Sequence, residues 1–363
     1  MTVAERREPK EFQVLPEEPQ RNDSLILTEY DWSMLNLSCN CKRKFFCNHI
    51  MGLHLQPKYH GLPGAMHFGW SIDNALDHGY QLWALNTDQR QKHFAGCFSN
   101  ASYEPARYNT IPYITVRKQF IEDWGVTKNM GYSQDLGLAI LDEYMSVYWP
   151  EQFDIVDSDV KGVVPLFDQF NLRFKADLLY HQKSKYYIME TKTTGRISPI
   201  WWEGKIREYQ TDGYHMGAEL FFGQDIHAVT FNAIATKASK IATIAEKYVR
   251  RDLLKPSARR KRYQKWLRNT IYTVADLQDE MLGVYNSTDF DTIQEAAYHM
   301  WKAGERPWEI WTESPHFCTA FFKKCEYYDL CETDFHTAMM QQYQQSTWQP
   351  YMGHERFKGE DIA

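Results

Sequence analysis

The sequence predicts an α/β protein with a mixed central sheet flanked by helices and with helical elaborations before and after it. Three observations carry that expectation. Residues 153–160, 172–180 and 186–193 read as three successive strands, the last two joined by a short turn. Asp135–Tyr148 and Trp201–Phe222, on either side of them, carry the spacing of amphipathic helices. A further alternating run, HAVTFNAIAT, follows the second helix and completes an α-β-β-β-α-β order. At 363 residues the chain is long enough to bury a substantial core in one elaborated domain or two.

In chain order, residues 1–25 are polar and rich in Glu and Pro, the composition of a flexible tail. Residues 26–150 read as an N-terminal helical region. It comprises helices carrying SCNCKRKFFC, a Gly/Pro-marked loop around Gly61–Gly64, a helix through FGWSIDNALDHGY, an irregular stretch from Asn86 to Pro112, and the helix at 135–148. Residues 151–240 hold the sheet. Residues 241–363 read as helical, punctuated by Pro256 and Pro307. There is no internal repeat, and low complexity is confined to the tail and to QQYQQ near residue 343. No apolar run is long enough to span a membrane.

The chemistry concentrates in FKADLLYHQKSKYYIMETKTT, residues 174–194. With Lys183-Ser184 as a two-residue hairpin loop, Gln182 faces Lys185, His181 faces Tyr186, and Asp177 faces Glu190. Alternation then puts Glu190 and Lys192 on the same face, so two acids and an ammonium share one patch. Such a patch holds Mg²⁺ or Mn²⁺ beside a phosphate: Asp177 and Glu190 ligate the metal, with the Thr191 backbone carbonyl a further ligand. Lys192 orients the attacking water or neutralises charge on the phosphoryl oxygens. The bland alternative is the solvated face of an ordinary amphipathic hairpin. In the following helix Gln210 and Tyr214 stand four apart on one face, an amide within reach of the lysine or a phosphate and a hydroxyl for substrate or water.

Seven cysteines, an odd count with no apolar leader segment, point to a reducing compartment in which clustered thiols bind metal rather than form disulfides. CTAFFKKCEYYDLC supplies Cys318, Cys325 and Cys331. Cys39, Cys41 and Cys47 compete to be a fourth ligand, and with His49, His54 and His60 they offer a separate zinc reading.

Net charge is −6, which excludes a generally basic, sticky protein. One local exception is Lys247–Arg268, with ten Lys or Arg against the single acid Asp252. Arg259, Arg260, Lys261, Arg262 and Lys265, interleaved with Tyr263 and Trp266, are expected to contact a phosphate backbone; a solvated helix surface is the alternative.

Strand, acid, turn, strand, Glu-x-Lys and then Gln-x-x-x-Tyr resemble the PD-(D/E)XK nuclease superfamily in its RecB-like branch. CKRKFF resembles the element that opens iron-sulfur members of that branch, among them CRISPR-associated and phage-encoded exonucleases. The resemblance implies a restriction-endonuclease-like core and a 4Fe-4S cluster on Cys41, Cys318, Cys325 and Cys331 that joins the N- and C-terminal elaborations. It also implies a cytoplasmic Mg²⁺- or Mn²⁺-dependent exonuclease acting on DNA ends or single strands in recombination, repair or phage DNA processing, alongside a helicase or recombination partner. The chain departs from the pattern at Lys42, where proline is usual, and at Phe174, where glycine is usual. The family's metal-binding histidine four residues after a glycine corresponds to Asp73 after Gly69, with His67 as the alternative ligand. A catalytically weakened DNA-binding scaffold, or a subunit of a helicase-nuclease complex, is the alternative reading.

Overall fold

The computed structural model describes residues 26–55, 64–84, 111–124, 132–149, 151–237, 242–284, 290–319 and 324–345. Its elements begin with β1 (Glu29–Tyr30), α1 (Trp32–Asn40), α2 (Lys42–Phe45), a π-helical turn (Phe46–Ile50) and β2 (Leu53–Leu55). Next come α3 (Gly64–Ala84), α4 (Ile111–Trp124), α5 (Gln134–Tyr148), β3 (Asp154–Phe167), β4 (Phe170–Gln182) and β5 (Lys185–Thr194). Then follow α6 (Pro199–Arg207), α7 (Gln210–Phe222), β6 (Ile226–Ala235), β7 (Tyr248–Leu253), α8 (Ser257–Val284), α9 (Ile293–Lys302) and β8 (Tyr343–Gln345). The expected tail, His60, Cys97, and the irregular stretch up to Thr110 lie outside the described residues.

The chain divides into two compact units, one from Leu62–Gly162 with Phe174–Pro256, the other from Lys10–Gly61, Val163–Arg173 and Ser257–Ala363. In the first, β4 pairs antiparallel with β5, β5 parallel with β6, and β6 antiparallel with β7, so the central sheet is mixed. The hairpin register is the expected one, Gln182↔Lys185 through Leu178↔Met189. Lys183 (φ 48°) and Ser184 (φ 62°) both take the left-handed conformation that lets a two-residue loop follow the twist of its strands. Helices cover both faces. Phe68, Ile72 and Tyr80 of α3 join Phe120 and Trp124 of α4, Leu141 and Tyr144 of α5, and Leu178 and Met189 of the sheet in the main core. On the other face Trp202 of α6 packs on Phe231 and Ala233 of β6.

Three elements depart from expectation. Strand β3, which pairs with β4, continues to Phe167, well past Val160. Its Gly162 and Pro165 read as breakers, but β3 is an edge strand, where a missing N–H costs no ladder bond. The helix expected over residues 201–222 is two helices, because Glu208 turns to an extended conformation (φ −59°, ψ 138°). No glycine or proline marks that break. Buried Lys255 fixes the start of α7 by donating to Thr211 Oγ1 (2.6 Å) and Asp212 Oδ2 (3.2 Å). Finally, residues 248–253 were expected to be helical and instead form β7, whose β-branched and aromatic residues complete the sheet.

Phe174, the bulky residue where glycine is usual, is buried between two glycines. A Cβ at Gly162 would approach its ring to 2.6 Å, as would one at Gly217 of α7. The space lost on β4 is therefore regained on β3 and α7.

In the second unit, Asn171 and Leu172 of β4 pair parallel with β1, and β2 pairs antiparallel with β8. α8 buries a stripe including Tyr263, Leu267, Ile271, Val274 and Gln278. The π-helical turn sets Phe46 against Trp311 (5.8 Å) and Phe335 (6.2 Å), and Arg43 Nε donates to the Trp311 carbonyl (3.0 Å). The Tyr327 hydroxyl donates to the Leu53 carbonyl (2.7 Å). The segments bearing the N- and C-terminal cysteines are thus packed together by aromatic contacts and backbone hydrogen bonds. Among the described residues no helix is long and apolar enough to cross a membrane.

The glycine compensation is testable by mutation. Gly217→Ala should lower stability by about 1–3 kcal/mol, the usual cost of overpacking, in urea or thermal melts. Phe174→Leu in the same chain should recover part of that loss, and strict additivity of the two changes would refute the packing argument.

Candidate metal and phosphate site

The site forms where β4 and β5 part. Their ladder ends at Leu178↔Met189, and one residue further on the Asp177 carboxylate takes the place of a backbone acceptor: the Thr191 amide donates to Asp177 Oδ2. Alternation brings Glu190 and Lys192 to the same patch, and the Lys192 ammonium lies directly on Glu190 Oε1. Glu190 is 1 % exposed, and its other oxygen has no hydrogen-bond partner. Gln210, at the first position of α7, donates from Nε2 to the Tyr214 hydroxyl (2.6 Å), one turn on along the same face.

The fourth contributor comes from α3. A Cβ at Gly69 would run into Thr193 Oγ1, so glycine lets α3 approach β5 here without displacing that hydroxyl. One turn later Asp73 carries a buried Oδ1 without a hydrogen-bond partner and lies in the field of Asp177, Glu190 and Lys192. His67 is turned elsewhere. Its Nε2 donates to the Asp123 carbonyl (3.1 Å), and its ring stacks on Trp124 (5.1 Å). Sequence reasoning missed Asp77. It stands one further turn along α3, is buried, and feels the negative charges of Asp73 and Asp177 and the positive charge of Lys175. Its i, i+4 spacing from Asp73 was the signal available. Lys175, two residues before Asp177, is held by Asp159 Oδ1 (2.9 Å).

The electrostatics follow from crowding acids out of water. Burial, and then the neighbouring Asp177, pushes Glu190 up to about 8. Burial likewise raises Asp177, and it raises Asp73 and Asp77 well above the carboxylate range. Burial opposes the charge on Lys192, but Glu190, Tyr214, Asp177 and Asp73 outweigh it and hold the ammonium protonated. The unpartnered oxygens and the all-oxygen donor set suit a hard divalent cation. Among the described residues no three acidic, His or Cys side chains converge closely enough to hold a metal as they stand.

The cysteines lie in the second unit. Cys41 caps α2, accepting the Lys44 amide on Sγ (3.4 Å), while the Cys325 amide donates to the Cys318 carbonyl (2.7 Å). Cys47 is fully buried and hydrogen-bonded to Cys331; burial pushes the Cys47 thiol up, while that hydrogen bond pulls Cys331 down. Cys39 is turned to α8, 3.8 Å from Thr270 Oγ1. Burial, followed by repulsion from His54, lowers His49 to about 3, and His60 lies outside the described residues.

The basic run is divided. Lys247 pairs with Glu143 (3.0 Å), Arg250 with Glu151 (2.7 Å) and Lys255 with Asp212 (3.2 Å), all within the first unit. Arg259, Arg260, Lys261, Arg262 and Lys265 stand on α8, with the last four exposed. No protein-family model and no curated protein matches the chain. Its fold and site define an α/β protein with a buried carboxylate–lysine cluster at a strand fork.

A raised carboxylate pKa makes stability pH-dependent. The folded state keeps a proton on Glu190 that the unfolded chain releases above about 4.5, so its contribution to stability falls as pH rises to about 8. Glu190→Gln should flatten the decline in melting temperature over that window, and Mn²⁺ should raise the wild-type midpoint most at the alkaline end. Parallel wild-type and Glu190→Gln curves would sink the assignment.

Proposed function

We propose that this chain is a divalent-metal-dependent nuclease that hydrolyses phosphodiester bonds in DNA, acting on ends or single strands as an exonuclease of the PD-(D/E)XK, RecB-like type. The observation that carries this reading is the cluster at the strand fork: Asp73, Asp177 and Glu190 around Lys192, with orphaned oxygens on Glu190 and Asp73. Mg²⁺ or Mn²⁺ bound there supplies a water of lowered pKa and neutralises phosphoryl charge.

Asp73, Asp177 and Glu190 hold that cation, with the Thr191 carbonyl as an additional oxygen. Lys192 leaves Glu190 and turns its ammonium to the attacking water and the phosphoryl oxygens, where charge develops. Gln210 fixes the Tyr214 hydroxyl beside Glu190 and Lys192 to orient water or substrate. In cleavage of end-labelled single- and double-stranded DNA with Mg²⁺ or Mn²⁺, Glu190→Ala should abolish label release. Lys192→Ala should slow it by about 10²–10³-fold, the scale of losing one transition-state donor. Full activity in Lys192→Ala, under conditions where chelation stops cleavage, would reject the mechanism. DNA binding without any metal-dependent cleavage would favour a nuclease-fold scaffold or a subunit that needs its helicase partner.

The thiols of the second unit support a structural 4Fe-4S cluster on Cys318, Cys325, Cys331 and Cys41, with Cys47 as the competing fourth ligand. Thiolate donors of this number suit such a cluster, and Lys44 and Arg43 stand beside them as cations. Anaerobically purified protein should be brown with broad absorbance near 400 nm, a general property of iron-sulfur centres. Cys331→Ser should bleach and destabilise it. Comparing Cys41→Ser with Cys47→Ser identifies the fourth ligand, since only loss of a true ligand removes the colour. A colourless, stable and active Cys331→Ser variant would eliminate the cluster.

A further inference from the structure

A cavity of about 340 Å³ lies in the second unit beside the basic face of α8. It is lined by Trp266, Asn269 and Thr273 of α8, by Asn40 and Lys42 where α1 meets α2, and by Glu313. Its size is at the small end of ligand pockets, about 300–1,000 Å³, and suits a single nucleotide rather than a helix. Trp266 provides a flat wall held in place by neighbouring rings, 5.3 Å from Trp32 and 5.8 Å from Tyr263. The two asparagine amides each combine a donor and an acceptor, the pattern that reads a nucleobase edge. Glu313, the acid of the lining, is neutralised by Arg43 (2.7 Å), so its charge does not repel a phosphate.

Helical spacing extends this pocket into the basic run. Arg262 and Lys265 stand four residues before Trp266 and Asn269, so they continue the same face by one turn, and both are exposed. We propose that the cavity captures one unpaired nucleotide of a DNA single strand, with the base stacked on Trp266, its edge on Asn40 and Asn269, and the adjoining phosphate on Arg262 and Lys265. The DNA substrate rests on the function proposed above; the pocket is distinct from the strand-fork site, and Cys41, proposed above as a cluster ligand, also lines it. A base inside a duplex is already stacked and paired, so only an unpaired one can enter.

The test measures binding of a fluorescein-labelled single-stranded oligonucleotide by anisotropy, using the full chain with Glu190→Gln in EDTA at several salt concentrations. Trp266→Ala and Asn269→Leu should each weaken binding on the order of tenfold, the scale of one stacked base. Asn269 is exposed, so its replacement leaves the core intact should Trp266→Ala perturb folding. A single abasic residue moved along the oligonucleotide should cause a similar loss at one position, and that loss should vanish in Trp266→Ala. Arg262→Ala and Lys265→Ala should each lower the salt slope by about 1. Unchanged affinity in both pocket variants, no position dependence of the abasic residue, equal binding of a blunt duplex, or no binding at all would overturn the proposal. The two readings separate cleanly. Position-dependent binding without metal-dependent cleavage by the wild-type chain would uphold the pocket and reject the nuclease, whereas cleavage with indifferent pocket variants would do the reverse.

Discussion

The site depends on one hydrogen bond, from the Thr191 amide to the Asp177 carboxylate, which replaces a ladder bond at the point where β4 and β5 separate. Without it Asp177 would be a buried acid with no donor, and the amide an orphan beside it, each costing about 1–3 kcal/mol. The bond is itself held from behind. Asn232 donates to Thr191 Oγ1 (3.1 Å) and to the Tyr144 hydroxyl (2.8 Å), and accepts from Arg250 Nε (3.2 Å). Arg250 makes a bidentate pair with Glu151 (2.7 and 2.8 Å). A buried arginine with its carboxylate removed costs about 3–5 kcal/mol. That stiffness reaches Thr191 through directional bonds rather than through packing alone, which fixes the fork more tightly than an apolar contact of the same area.

The fork concentrates like charge that the fold alone cannot relieve. Asp73, Asp77, Asp177 and Glu190 all have their ionised forms disfavoured by burial, and the charge of Asp177 further raises Asp73, Asp77 and Glu190. The main core bears that cost, with Phe68, Ile72, Leu76 and Tyr80 anchoring the helix that carries two of the acids. Lys192 resting on Glu190 supplies positive charge from within the chain. The divalent cation of the proposed function would supply more, and would take oxygens that an ammonium leaves bare.

Period-two alternation and a two-residue loop were enough to place Asp177, Glu190 and Lys192, because hairpin register is a local property. Asp73 was found through its spacing from Gly69, and the contact of that glycine with Thr193 gives the spacing its physical reason. What stayed hidden was tertiary. The break at Glu208 has no local breaker, and the long edge strand β3 tolerates residues that would interrupt a central one. Asp77 looked like any polar helix position until the sheet covered it. The basic run was the most misleading signal. A sequence cannot distinguish a cation that awaits a phosphate from one, like Arg250 or Lys255, that serves a buried acid.

The two departures from the nuclease pattern bear on whether the site turns over. Were the site decaying, replacement of a glycine by Phe174 would leave a clash or a displaced strand. Instead Gly162 and Gly217 clear the volume of the ring, and β4 delivers Asp177 to the fork three residues later. An Asp73 with no part in the site would be expected to face solvent. Instead its Oδ1 is buried without a partner and faces the other acids. With a carboxylate at this position the donor set is all oxygen, which suits Mg²⁺ or Mn²⁺ better than softer ions. Phe174 and Asp73 therefore both fit the structure around them, which favours the proposed nuclease over the alternative scaffold.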